Sequence, residues 1–290
     1  MNNIRLLEND YNRRLSMINS SISLVEAAAT SLAESDPTRK VALTRETAAR
    51  WKSGDLIAGA PAHWQPLDIT TPGRPNRPRL VPARELPKRK LSSTQGLASL
   101  VHAVAHIEFN AINLAWDALQ RFTRMPDAFR EDWAQVAIEE AEHFVLMRER
   151  LEMLGHDYGD LPAHDGLWEM ARRTADDVLE RMALVPRVLE ARGLDVTPGM
   201  IERLRTAGDE DTADRLCIIL RDEVGHVAIG SRWYRHCCEI RGLDPRTTFI
   251  DLIRRHLRGE MRCPLNRDAR MSAGFDASEL DALEALCRET

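Results

Sequence analysis

Apolar residues recur at helical spacing through most of the chain. In residues 1–58, Leu15, Ile18, Ile22 and Val25 repeat at intervals of three or four, and Ser35-Asp36-Pro37 reads as a break and restart, which predicts two helices. The pattern then changes. Prolines at 61, 66, 72, 75, 78, 82 and 87 exclude regular helix or central strand and predict an extended connector over 59–92. After the N-cap signal Ser92-Ser93, four long helices follow at about 95–122, 127–154, 165–192 and 209–241. The third is expected to kink at Pro186 and to stop at the Gly193–Gly199 stretch, with a separate short turn near 200–206. Residues 246–290 read as a tail, helical at about 247–257 and 277–287, around an irregular Cys263-Pro264-Leu265-Asn266. The fold class is therefore all-α: an N-terminal helical extension, a connector, a four-helix bundle over 93–245, and the tail.

Composition agrees and adds three points. Aromatics are only 5% against 43% apolar residues, which disfavours a sheet-rich protein. The net charge of −5 excludes a uniformly cationic nucleic-acid binder but allows local basic patches. One such patch is the connector, where Arg74, Arg77, Arg79, Arg84, Lys88, Arg89 and Lys90 stand against Glu85 alone. It reads either as a strap packed on the bundle with solvated charges or as an edge that contacts the phosphates of an RNA. Five cysteines without a CxxC pair suggest reduced thiols. With a polar Met1–Glu8 and no apolar run long enough to span a bilayer, a cytoplasmic location and no membrane partner are expected.

Two Glu-x-x-His motifs carry the candidate chemistry: Glu140 with His143 on the second long helix, and Glu223 with His226 on the fourth. Residues three apart share a helical face, so each pair can address one metal ion. Their mid-helix placement matters more than their number, because buried and uncompensated Glu and His carry a desolvation cost of several kcal/mol that a cation offsets. A bundle site for two metals needs one more Glu from each remaining helix. Glu108 lies roughly as far before the Met125-Pro126-Asp127 turn as Glu140 lies after it, and so is expected to stand level with it. On the third helix Glu190 fits if the helical path continues across Pro198-Gly199, and Glu180 fits if that segment loops out; spacing does not choose between them.

The segments Asp157-Tyr158-Gly159-Asp160-Leu161-Pro162, Met182 to Asp195, and Leu220 to Val227 resemble the bacterial ferritin-like family DUF455, and the likeness extends over most of the chain. The resemblance implies a ferritin-like bundle, and its pattern includes position 190 but not 180, which selects Glu190. Ile219 to His226 is similar to the metal-binding segment of bacterioferritin, which implies ligand roles for Glu223 and His226. A more distant similarity, in bundle and ligand pattern, is to the ferritin-like di-iron tRNA hydroxylase.

The expected cofactor is two iron ions, with manganese or a mixed pair compatible with the ligand types. Glu140 and Glu223 are the bridging candidates, and Glu108, Glu190, His143 and His226 the remaining ligands. His102, His106, Asp222 and Arg187 are candidates for supporting the ligands from outside. Of these, His102 and His106 are expected to be satisfied structurally, since their face is turned away from Glu108. Asp222 and Glu142 are each placed to orient a histidine of the neighbouring helix, and Arg187 to pair with such carboxylates. Trp116, Trp133, Trp168 and Trp233 are expected in the core, while Tyr234 is a candidate redox relay. Together these predict an oxidase or oxygenase using O₂, an electron donor and a small-molecule substrate or modified RNA, with a homodimer among the expected partnerships. The alternatives are iron storage or ferroxidase activity and an RNA-directed hydroxylase.

Overall fold

The computed structural model describes residues 22–70, 72–86, 91, 93–257 and 261–289. Leu15 and Ile18, as well as Lys88, Arg89 and Lys90, lie outside the described residues. Two helices of the N-terminal extension are present. Helix α1 (Leu24–Ala33) starts with a capping box in which Ser23 and Glu26 satisfy each other's backbone groups. Helix α2 (Pro37–Lys52) starts on Asp36, with Pro37 in the first turn, where its missing N–H costs nothing. The connector then runs as a strap over the helices. Trp64 Nε1 donates to the Gln120 carbonyl at 2.8 Å, Trp168 Nε1 donates to the Ile69 carbonyl at 2.9 Å, and Val81 N–H donates to the Ala163 carbonyl at 2.8 Å. Arg74 pairs with Asp165 at 2.8 Å, while Arg77, Arg79 and Arg84 are exposed.

The bundle is built from two antiparallel hairpins. In the first, α3 (Thr94–Arg121) is capped by Ser93 and α4 (Asp127–Met153) follows a tight turn. In the second, a composite third helix meets the longest helix. After a short α5 (Gly166–Arg173), the composite comprises α6 (Val178–Leu184), a π turn (Val185–Glu190) and α7 (Ala191–Thr206). Its partner α8 (Glu210–Arg241) is capped by Asp209 at its start and by Gly242, at φ 64°, at its end. The core between them is apolar and tight, with Trp116, Trp133, Trp168 and Trp233 all at 5% exposure or less.

The third helix differs from expectation. It begins at Val178 rather than near 165, and it does not stop at Gly193–Gly199. The expected kink at Pro186 is a π turn, and Pro198 sits inside α7. A proline at 198 removes the bond that the Leu194 carbonyl would otherwise accept, and Asn266 Nδ2 of the tail supplies a replacement at 3.1 Å. The same tail segment holds Asp195 through Arg270 Nη2 at 2.8 Å. Tertiary contacts thus bridge a helix that local propensity would break.

The tail consists of α9 (Pro245–Leu257), α10 (Arg267–Ser272) and α11 (Ala277–Glu289), packed on the second hairpin. Cys263 and Cys287 form a disulfide, which corrects the expectation of five reduced thiols; the tail folds back and brings together cysteines 24 residues apart in sequence. Cys237 and Cys238 are buried free thiols, and Cys217 is half-buried. Among the described residues no helix is long and apolar enough to cross a membrane.

Candidate metal centre

Glu108 and Glu140 each stand thirteen residues from the ends of α3 and α4 that flank the turn, at Arg121 and Asp127, so the hairpin brings them level. Around them close His143 of α4 and Glu223 of α8: one ligand atom from each of Glu108, Glu140, His143 and Glu223 lies within 4.8 Å of all the others. His226 joins through Nδ1, 3.0 Å from Glu140 Oε1 and 3.9 Å from Glu223 Oε1. His143 Nδ1 lies 3.3 Å from Glu140 Oε2 and 3.6 Å from Glu108 Oε2. Glu140 therefore turns one oxygen to each imidazole. Glu190, from the π turn, lies close enough to Glu223 and Glu140 to be influenced by their charge, lines the same cavity as Glu108 and Glu223, and is 9% exposed.

These groups are buried but poorly matched to one another. Glu108 Oε2, Glu140 Oε1, Glu190 Oε2, Glu223 Oε2 and His226 Nδ1 have no hydrogen-bond partner. The 3.0 Å approach of His226 Nδ1 to Glu140 Oε1 is close enough for a hydrogen bond but is not aligned as one. Convergent lone pairs without donors are what a cation would satisfy and what a protein without one would eliminate.

The electrostatics point the same way. Burial raises the pKa of Glu108 and Glu190 well above the carboxylate range, reinforced by the charge of Glu140 on Glu108 and of Glu223 on Glu190. Glu223 is raised too, by burial and then by the charge of Glu140. Glu140 is held low: burial opposes ionisation, but the charge of His226 and the hydrogen bond from His143 outweigh it. Burial disfavours the imidazolium of His143, yet Glu108 and Glu140 raise it to about 11, and His226 is raised by Glu140 and Glu139 in the same way. The six groups thus lack positive charge and borrow it from protons.

Each histidine is held from outside by a carboxylate of the opposite helix. His143 Nε2 meets Asp222 Oδ2 at 3.2 Å, and His226 Nε2 meets Glu139 Oε2 at 2.7 Å. This leaves Nδ1 of both rings aimed inward. Asp222 occupies the expected role, with Arg221 bonded to it at 2.8 Å. Glu139 was missed, although a signal exists: acid-Glu-x-x-His recurs as Glu139-Glu140-x-x-His143 and Asp222-Glu223-x-x-His226. Glu142, the other residue expected to orient a histidine, instead pairs with Arg45 of α2 at 2.8 Å.

Other candidates fall elsewhere. Glu180 pairs with Arg255 and His256 of the tail, at 3.1 and 3.3 Å, and not with the cluster. Arg187 supports no ligand: fully buried, it pairs with Glu279 of α11 at 2.7 Å and lies over Tyr234, Phe249 and Phe275. Its position in the π turn directs it to the tail. His102 Nε2 accepts from Gly159 N–H at 3.0 Å, and His106 bonds Tyr158, Asn110 and the His164 carbonyl, so both secure the 158–164 loop rather than a ligand. Tyr234 donates to the Pro245 carbonyl at 2.6 Å, two helical turns beyond His226 and away from a relay position.

On one side the cluster opens to a cavity of about 550 Å³ whose lining includes Glu108, Glu190 and Glu223. Glu140, His143 and His226 lie at its closed back, at 1% exposure or less.

Comparison with known proteins gives a family but no activity. The sequence profile described as "Protein of unknown function (DUF455)" matches residues 33–281. An uncharacterized protein of Haemophilus influenzae (strain ATCC 51907 / DSM 11121 / KW20 / Rd) is 49% identical over 214 residues, covering 71% of this chain and 74% of the relative. No solved structure matches the chain.

Proposed function

Because the chain belongs to the DUF455 family, whose description assigns no activity, its function rests on the site, and we propose that the cluster is the centre of a ferritin-like di-iron oxidase or oxygenase. The observation that carries the reading is the set of five unpartnered ligand atoms from Glu108, Glu140, Glu190, Glu223 and His226, converging in a buried bundle core. Four carboxylates and two imidazoles suit iron, and they also accept manganese or a mixed pair.

Two such ions, when bound, supply the capacity to reduce dioxygen and to oxidise a neighbouring substrate C–H bond. The chain's own residues do the rest. Glu140 presents an oxygen to each histidine and is the bridging candidate, with Glu223 second. His143 and His226 would hold a metal through Nδ1, because Asp222 and Glu139 occupy Nε2 and fix each ring. Glu108 and Glu190 would complete the ligand set from the side that faces the cavity, whose wall is largely apolar.

Metal analysis of protein purified without added metal tests the reading, with two ions per chain expected in the wild type. His143→Ala and Glu223→Ala should each lose stoichiometric binding. Two ions retained by the double variant would overturn the assignment. A many-subunit cage loaded with far more than two irons per chain would favour storage instead.

A further inference from the structure

The cavity above the carboxylates has a chemistry of its own. Its volume of about 550 Å³ lies within the usual range for small-molecule pockets. The wall is apolar, from Val104, Leu189, Val196, Leu216 and Ile219. Ile107, 44% exposed, marks the mouth. Also lining it are Arg173, half exposed, and Arg192, half-buried. Arg173 shares Glu169 with Arg172, at 3.2 and 3.1 Å. Arg192 donates only to the Arg262 carbonyl, at 3.2 Å, and among the described residues no carboxylate pairs with it. Arg84, its side chain 84% exposed, stands beside Ala83 at the rim and is matched by Glu85 at 3.9 Å. The mouth therefore keeps a positive charge at Arg192 that no carboxylate among the described residues matches, the walls are apolar, and the floor holds the carboxyl groups of Glu108, Glu190 and Glu223.

We propose that this cavity binds an anionic amphiphile: a hydrocarbon chain lies along the apolar wall toward Glu108, Glu190 and Glu223, and a carboxylate or phosphate head sits at Arg192 and Arg173. The reverse orientation would bury the head against Glu108, Glu190 and Glu223, away from both guanidinium groups, and leave the hydrocarbon at the mouth. Guanidinium groups suit either head, because both accept paired hydrogen bonds. A neutral chain alone would leave Arg192 without a counter-charge. The proposal deepens the reading of the cluster as an oxidising centre and rests on it for the fate of the chain, but binding itself requires no metal.

Calorimetric titration of the full chain with decanoate, decyl phosphate and decanol tests it. Saturable binding of decanoate or decyl phosphate is expected, with a negative heat-capacity change, and decanol should bind at least about tenfold more weakly. Arg192→Gln should weaken binding of the anionic probe by roughly tenfold and leave decanol unchanged. Val196→Trp, which fills the cavity, should abolish binding of all three; Val196→Phe, a smaller change, should weaken it if the tryptophan variant does not fold. Equal affinity for decanol, indifference to Arg192→Gln, or binding of bulk tRNA with none of either anionic probe would overturn the proposal. Metal content measured on the same samples separates the two readings: lost amphiphile binding with two metals retained defeats this inference alone.

Discussion

Two buried residues show how far single side chains depend on partners from other helices. His143 and His226 are each fixed by a carboxylate of the opposite helix, Asp222 and Glu139. Removing that charge while keeping the shape, as in Glu139→Gln or Asp222→Asn, should weaken metal binding by about 10–100-fold while the metal-free protein remains folded. Competition with a chelator measures this, and wild-type affinity in both variants would deny them the role. Lys40 is the other case. Fully buried, it donates to the carbonyls of Ser31 and Leu32 and to Asn113 Oδ1, at 2.8, 2.9 and 2.7 Å. Burial lowers its pKa from 10.5 to about 7, against the pull of Glu34. Between these values the unfolded chain binds the extra proton, so stability should rise with pH from about 7 to 10.5. Below that window both states are charged and the burial penalty is fully present. Urea titrations of wild type and Lys40→Met across this window should show the wild type gaining on the variant, and a constant difference would rule out the coupling.

At the scale of elements, the π turn decides the geometry of the site. It widens the third bundle helix where Pro186 cannot donate a backbone hydrogen bond, and it delivers Glu190 to the cluster and Arg187 to the tail. The turn is seated on Gly230 of α8, where a Cβ would lie 2.4 Å from both Cβ and Cγ of Pro186. Gly230→Ala should therefore force the helices apart, costing about 1–3 kcal/mol and displacing Glu190. Denaturant unfolding together with metal counting checks both effects. Full stability with two ions bound would show that the contact has slack.

Across the whole molecule, the tail braces the half of the bundle that is least regular. Asn266 and Arg270 support α7 around Pro198, the disulfide closes the tail on itself, and Glu279 neutralises Arg187 beneath three aromatic rings. Both members of that last pair are at 2% exposure or less. Glu279→Gln leaves a buried guanidinium without its counter-charge, so a loss of about 3–5 kcal/mol is expected by chemical denaturation. A loss below about 1 kcal/mol would mean that the rings alone hold Arg187.

The local and the distant features of this protein separate along a physical line. Helix periods, caps and short turns involve residues within a few positions, so the sequence by itself determined α3, α4 and α8, the level placement of Glu108 with Glu140, and the two Glu-x-x-His faces. Spacing could not choose between Glu180 and Glu190, because the answer depends on whether a helix survives Pro198-Gly199. That survival depends on Asn266, 68 residues further along the chain. Tertiary structure also decided that Glu139 holds His226, that Arg187 serves the tail, that Cys263 meets Cys287, and that a cavity with a cationic mouth stands over the carboxylates. Each is a contact between segments far apart in sequence, fixed by packing that no local pattern encodes.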